Sequence, residues 1–320
     1  MIDVAINVYG KPYQTAVTLL SLLRHSGPHI NRIFFISEPK QPRPGEYQIA
    51  PELIGDRLES FTPQFFLGLE QADERRLGEE TYRHSIRYQY AWEKSDQRFL
   101  LLTHNDVLYT GDIVSMLTAE IGDNIAIGEV GQCWNCPAGI AKVCSPASYF
   151  DYRPDLETAL ALHRDFPSQR NYDHAGWIAR NGPWPLPECR LNEWVALIDL
   201  ERSRPLTTPF GPAPPLGFLS VDIGTEWFRV ISNAGHRVRN FDFTSVAKHA
   251  WTDGEFGNTS LFDDDRYDSS ELIARDLLAR EFTVPESVLQ KAVANDRPRL
   301  RKIKNSLKRI KRVVKQAVRR

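Results

Sequence analysis

Four cysteines in 320 residues are too few for a disulfide framework. A bilayer-spanning helix is missing too: the longest uncharged stretch, residues 205–221, is interrupted by five prolines. No basic segment with an apolar core precedes the first strand-like run, so a secretory signal is not expected. The expected compartment is the cytosol, with thiols reduced. Internal repeats are absent. What remains, 42% hydrophobic and 25% charged residues, is the composition of a soluble globular chain long enough for one large α/β domain or two small ones. Acidic residues are missing from 297–320, which holds 12 Lys and Arg; the first 296 residues carry 28 basic against 41 acidic ones. The net charge of −1 therefore joins an acidic body to a basic tail.

The apolar run at residues 3–9 reads as a buried strand. A helical pattern follows at 15–25, closed by Gly27-Pro28, and then a second strand at 33–36. Strand, helix and strand over about forty residues form a βαβ unit, hence a parallel sheet. A helix at 81–95, a buried strand at 98–103 and a helix at 112–121 repeat the pattern. Beyond residue 130 the pattern is less regular: 205–217 reads as a loop, 226–233 as a helix and 237–243 as a strand. In open α/β sheets ligands bind beyond the carboxyl ends of the strands. Asn7 and Tyr9, Glu38, and His104-Asn105-Asp106 all fall at such ends.

His104-Asn105-Asp106 follows the most apolar strand, where a carboxylate can bind a divalent metal or merely start a turn. Asp222 and Glu226 are four apart and share a face if the helix begins early. One of them is a candidate general base; the alternative is an acidic residue stabilising a helix N-terminus. His249 ends a strand-like segment and is structural or ligating according to its neighbours.

The order of these elements resembles that of the GT-A type glycosyltransferases, nearest to their family 2-like group. It covers residues 1–255: a first βαβ unit, a helix and strand leading to Asp106, then Asp222, Arg229, Gly235-His236-Arg237-Val238 and His249. The resemblance implies an open, mostly parallel α/β sheet flanked by helices. It divides the chain into a nucleotide-binding part (1–130) and an acceptor-binding part (131–255), followed by a helical extension (256–296) and the tail (297–320). By the same resemblance Asn7, Tyr9, Glu38, Arg87, His104, Asn105 and Asp106 bind a nucleotide-sugar donor. Asp106 and His249 hold a divalent cation, Mn2+ or Mg2+, and Asp222 or Glu226 is the base, Asp222 being preferred. A single displacement inverts the anomeric centre. His104 stands where the family has its first Asp, and the acidic motif is spaced one residue off the common pattern. The His104 departure keeps a non-catalytic sugar-nucleotide-fold binding or scaffold protein in view. Nucleotidyl transfer ranks lower, because no glycine-rich phosphate loop bearing Arg and Lys follows the first strand.

Cys133 and Cys136 have the two-residue spacing of a zinc knuckle, which Cys144 and Cys189 complete to a structural Zn2+ set; the alternative is four reduced, partly buried thiols. Arg190 and Glu193 are candidates for acceptor contact. In the tail Leu300, Ile303, Leu307, Ile310, Val314 and Ala317 form one apolar stripe among Lys and Arg. Such a helix lies on an anionic membrane. Nucleic acid is not the expected partner, since a nucleic-acid arm needs charge but no stripe. Docking on the acidic body is the other alternative. These features lead to the expectation of a glycosyltransferase of polysaccharide biosynthesis, attached peripherally to the inner face of the membrane and acting on a glycan or lipid-linked acceptor.

Overall fold

The computed structural model describes residues 1–43, 46–167, 173–252 and 263–289. Nine strands occur among these residues: β1 (Ile2–Val8), β2 (Ile30–Ser37), β3 (Leu58–Phe61), β4 (Phe99–Thr103), β5 (Val107–Tyr109), β6 (Ala126–Val130), β7 (Leu191–Asp199), β8 (Val238–Asn240) and β9 (Ala247–His249). Seven form one sheet in the order β3-β2-β1-β4-β7-β6-β8. β3, β2, β1 and β4 run parallel, β7 runs antiparallel to both its neighbours, and β8 is parallel to β6. The expected mostly parallel α/β sheet is present. β7, from the irregular-looking half of the sequence, lies between β4 and β6 near its middle.

The period of two along each strand divides the core between the faces. Val4 and Ile6 of β1, Leu101 of β4 and Leu197 of β7 pack on one side with Leu19 and Leu22 of helix α1 (Pro12–Ser26). Phe34, Leu100, Leu102 and Ile198 pack on the other with Trp92, Trp227 and Phe228. Trp227 and Phe228 belong to the helix Thr225–Asn233, which the sequence pattern places one residue later. β5 and β9 form a separate antiparallel pair that sets His249 opposite Val107.

The helix expected over 81–95 is two short ones, Glu80–Arg83 and Gln89–Lys94. Between them Tyr88 takes a φ of 65°, a strained conformation for a residue other than glycine. Its side chain is fully buried, so packing holds the kink, which lies next to Arg87. The strand expected over 237–243 is shorter, Val238–Asn240. The expected tail helix at 297–320 lies outside the described residues.

Part of the helical extension is the helix Asp264–Glu281, which packs Ala274 and Leu278 into the α1 side of the core. It also completes α1, whose N-terminus has no side-chain cap of its own. Glu271 accepts hydrogen bonds from the backbone N–H of Tyr13 (2.8 Å) and Gln14 (3.4 Å) and from Gln14 Nε2 (3.1 Å). Those two N–H groups are among the donors that a helix leaves unpaired at its start.

Burial pushes the Glu271 carboxyl up to about 7, against the pull of the Tyr13 N–H. The folded chain therefore binds this proton more tightly than the unfolded chain. Its contribution to stability is fully present below 4.5 and is lost as pH rises through about 7. Urea unfolding of Glu271→Gln, which keeps an acceptor and cannot ionise, should fall less steeply between pH 5 and 8 than that of the parent chain. Glu271→Ala leaves buried donors unpaired and should lose about 1–3 kcal/mol.

Candidate functional site

β1 ends at a turn in which Gly10 (φ 66°) and Lys11 (φ 55°, ψ 52°) are both left-handed. A Cβ at Gly10 would lie 2.5 Å from Pro42 and 2.7 Å from the Tyr267 hydroxyl, so only glycine fits there. Pro12 then begins α1. The turn sends the Lys11 side chain into the sheet edge, where Nζ meets Asp106 Oδ2 at 2.7 Å, both groups being buried. Asn105, expected at the donor, is buried and fastens this turn: its Nδ2 donates to Gly10 O and Thr15 Oγ1, each at 3.1 Å.

Lys11 leaves Asp106 with one oxygen to spare. Oδ1 is buried without a hydrogen bond, 3.5 Å from His249 Nε2 and 4.0 Å from His104 Nδ1. The two ring nitrogens are 3.2 Å apart. β9 supplies His249 through its pairing with β5, and Ala250 N donates to Asp106 O (3.0 Å). Asp106 is desolvated, yet Lys11, followed by His249, holds its carboxyl well below the usual range. Burial lowers His104, with Glu193 opposing. An orphaned carboxylate oxygen facing two imidazoles is a donor set that fits a divalent cation. Of the three, His249 and His104 reach solvent and Asp106 does not.

Toward β2 the site is floored by Asn7 and Glu38, both buried. A Cβ on Gly68 would lie 1.9 Å from Glu38 Oε1, so the bare backbone of Gly68 is what lets the carboxylate sit there. Neither Glu38 oxygen has a hydrogen bond of ordinary geometry. Burial raises its pKa to about 7, with the Arg87 guanidinium and the Asn7 amide pulling the other way. Tyr9, half-buried at the rim, leans on Phe66 with ring centroids 5.5 Å apart.

Arg87 links this floor to the rest. Its Nε and Nη2 donate to Gly68 O (3.1 and 2.7 Å), and Nη1 meets Glu193 Oε1 at 3.1 Å. His104 Nε2 lies 3.3 Å from the same oxygen. Arg190 takes the other Glu193 oxygen at 2.9 Å and reaches Asp222 Oδ2 at 3.0 Å. Arg190 and Glu193, expected at an acceptor, are thus buried inside a network of ion pairs. Asp222 stands at its outer end; Gln132 donates to its Oδ2 (3.4 Å), and its own Oδ1 accepts from Ile223 N (2.8 Å).

Glu226 lies apart from these contacts. It is buried and accepts hydrogen bonds from Trp177 Nε1 (3.3 Å) and the Ser220 hydroxyl. Burial pushes its pKa up. The four cysteines are reduced and line one cavity together with Glu188. Their sulfurs do not belong to either group of three or more metal-ligand atoms lying within 4.8 Å of one another among the described residues. Burial raises the Cys136 thiol to about 12 and Cys189 well above its usual value, so neither is a ready nucleophile.

Lys11 and Gly68 escape sequence reasoning. Lys11 had a local signal, the Gly-Lys-Pro turn between strand and helix; Gly68 had none.

No protein-family model matches the sequence, and no curated protein is similar to it in sequence. Among solved structures the chain is similar to the galactosyltransferase LgtC in complex with donor and acceptor sugar analogues, at 15% identity and a TM-score of 0.34 over 63% of this chain and 59% of that one. It is similar to the mannosyltransferase PcManGT of Pyrobaculum calidifontis in complex with GDP-Man and Mn2+, at 11% identity and a TM-score of 0.41 over 92% and 79%. A third similarity is to mouse xyloside xylosyltransferase 1 in its apo form, at 14% identity and a TM-score of 0.38 over 80% and 92%. The chain spans less than two thirds of the galactosyltransferase's own length.

Proposed function

We propose that this chain is a GT-A type glycosyltransferase of the family 2-like kind, transferring a sugar from a nucleotide-sugar donor to a lipid-linked or polysaccharide acceptor with inversion. The observation that carries the reading is the Asp106 Oδ1, His104 and His249 cluster beside a buried Glu38–Asn7 floor, tied through Glu193 and Arg190 to Asp222. Asn7 and Glu38 take the nucleoside, with Tyr9 at the rim. Arg87 and Asn105 act on the donor indirectly, one by fixing Gly68 and Glu193, the other by fixing the Gly10 turn.

Asp106, His104 and His249 would hold Mn2+ or Mg2+, which when bound supplies positive charge against a leaving nucleoside diphosphate. Lys11 fixes the Asp106 rotamer by holding Oδ2, so that Oδ1 keeps its aim at the two rings. Asp222 is the base that takes the proton of the attacking acceptor hydroxyl. Its side chain reaches solvent and is oriented by Arg190, whereas Glu226 is turned toward Trp177 and Ser220. Arg190 and Glu193 position the base and the donor cluster relative to each other.

Purified protein should hydrolyse or transfer from a nucleotide sugar in the presence of Mn2+ or Mg2+. Asp222→Ala should lower kcat by about 10²–10⁴, and Asp106→Ala should abolish the metal dependence along with most of the turnover. Both variants turning over like the parent would sink the reading. Thermal stabilisation by a nucleotide sugar without any turnover would instead favour a sugar-nucleotide-binding scaffold.

The location belongs to the same proposal. No helix among the described residues is long and apolar enough to cross a membrane. We place the enzyme at the cytoplasmic face, held by the basic, apolar-striped segment 297–320. Full-length protein should float with liposomes containing anionic lipid and not with zwitterionic ones. Equal flotation after removal of 297–320 would exclude the tail as the anchor.

A further inference from the structure

A second group of titratable side chains lies under the segment that carries Arg190. His163 sits in the last turn of the helix Leu156–Asp165, His174 opens the helix His174–Asn181, and Glu188 lies in the loop before β7. All three are buried. His163 Nε2 is 3.0 Å and His174 Nδ1 2.6 Å from the same oxygen, Glu188 Oε1. The other oxygen, Oε2, is buried without a hydrogen-bond partner.

The donor count at His163 does not close for a neutral ring. Its Nδ1 faces the carbonyl of Ala159 at 2.9 Å while its Nε2 faces Glu188. A neutral imidazole has one N–H and one lone pair. With both nitrogens aimed at oxygens, the ring needs a second positive centre on the Glu188 side, either an extra proton or a metal ion. A backbone carbonyl on the far nitrogen is the arrangement that orients metal-ligating histidines. The ligand atoms of the three residues all lie within 4.8 Å of one another.

Charge and neighbours favour the metal. Cys136 is buried, lines the same cavity as Glu188, and packs in one apolar cluster with Ala159, Trp177 and Ile178 of the two helices that carry the histidines, its sulfur lying just outside the group of three. A divalent cation with one carboxylate, one thiolate and two neutral imidazoles sums to zero charge, the condition a dry site requires. Two nitrogens, one oxygen and one sulfur form a four-coordinate set within the range of ligands that zinc accepts.

We propose that His163, His174 and Glu188 form a structural Zn2+ site, and that the Cys136 sulfur turns in from the adjoining cavity as fourth ligand when the ion binds. It pins the connection between β6 and β7. Gln132 N donates to Glu188 O (2.9 Å) and Gly131 N to Arg190 O (2.7 Å), so the ion fixes the backbone two residues from the arginine that orients Asp222. The site stands independently of the transfer chemistry.

The test uses full-length protein purified without chelators, with His104 and His249 both changed to alanine so that the other cluster cannot contribute. Metal analysis should find about one zinc per chain, and a chelator should lower the melting temperature. Cobalt substitution should give the visible bands of a tetrahedral site together with a thiolate charge-transfer band. Cys136→Ser should remove that thiolate band and weaken Zn2+ binding by about tenfold or more. Cys133→Ser with Cys144→Ser should leave both unchanged. His163→Ala should lose the metal; should it fail to fold, the Cys136→Ser spectrum decides alone. Protein without zinc that is not stabilised by added Zn2+ would overturn the site in favour of a shared proton. Loss of metal in the Cys133/Cys144 variant with retention in Cys136→Ser would reassign it to the other thiols.

Discussion

The carboxylate of Glu193 is the charge on which the site depends. It is buried at the sheet edge and receives Arg87, Arg190 and the His104 ring. An unpaired charge in that position would cost several kcal/mol, so each partner is needed for the others to remain buried. Alternation of Arg87, Glu193, Arg190 and Asp222 keeps the chain of charges balanced from the Glu38–Asn7 floor to the outer carboxylate. Burial works against the Glu193 charge, yet Arg190, followed by His104 and Arg87, holds the carboxyl well below its usual range.

Topology explains how Glu193 comes to stand there. In a fully parallel sheet the carboxyl edge is built from strand ends and the loops after them. β7 runs the other way, so its beginning, with Arg190 just before it and Glu193 within it, arrives at the edge where β1, β2 and β4 finish. The register Thr103↔Val195 puts Glu193 level with the residues that follow β4, among them His104. One reversed strand thereby joins the two parts of the chain into a single polar floor.

Much of this architecture is legible in the sequence because β1, β2 and β4 are short continuous apolar runs, buried on both faces. β7 is not, since its first residues, Leu191-Asn-Glu-Trp, break the run with the very groups that serve the site. The helix over 81–95 has a continuous helical pattern, and its kink at Tyr88 is imposed by tertiary packing that no local propensity records. At the site, Asp106 and His249 are readable from their position after strands, and they meet. Lys11 is not, because its Gly-Lys-Pro setting signals a turn but not where the side chain goes, and its role appears only once two left-handed residues turn it inward. Spacing alone made Asp222 and Glu226 equivalent; Arg190 engages only the first.

The two histidine clusters differ in a way that physical chemistry makes informative. At His104, Asp106 and His249 the rings are a quarter to a third exposed, with side-chain values of 25% and 35%, leaving room for a substrate ligand. At His163, His174 and Glu188 the values are 5%, 6% and 1%, leaving none. Open coordination suits an ion that works on a substrate, and closed coordination suits one that holds the chain. The closed cluster sits beside the loop of Arg190 and the open one beside Glu193, so the two ends of a single buried ion pair are steadied from opposite sides. A polar floor of this kind tolerates little displacement, because moving either arginine by an ångström leaves a carboxylate in low dielectric with nothing to neutralise it.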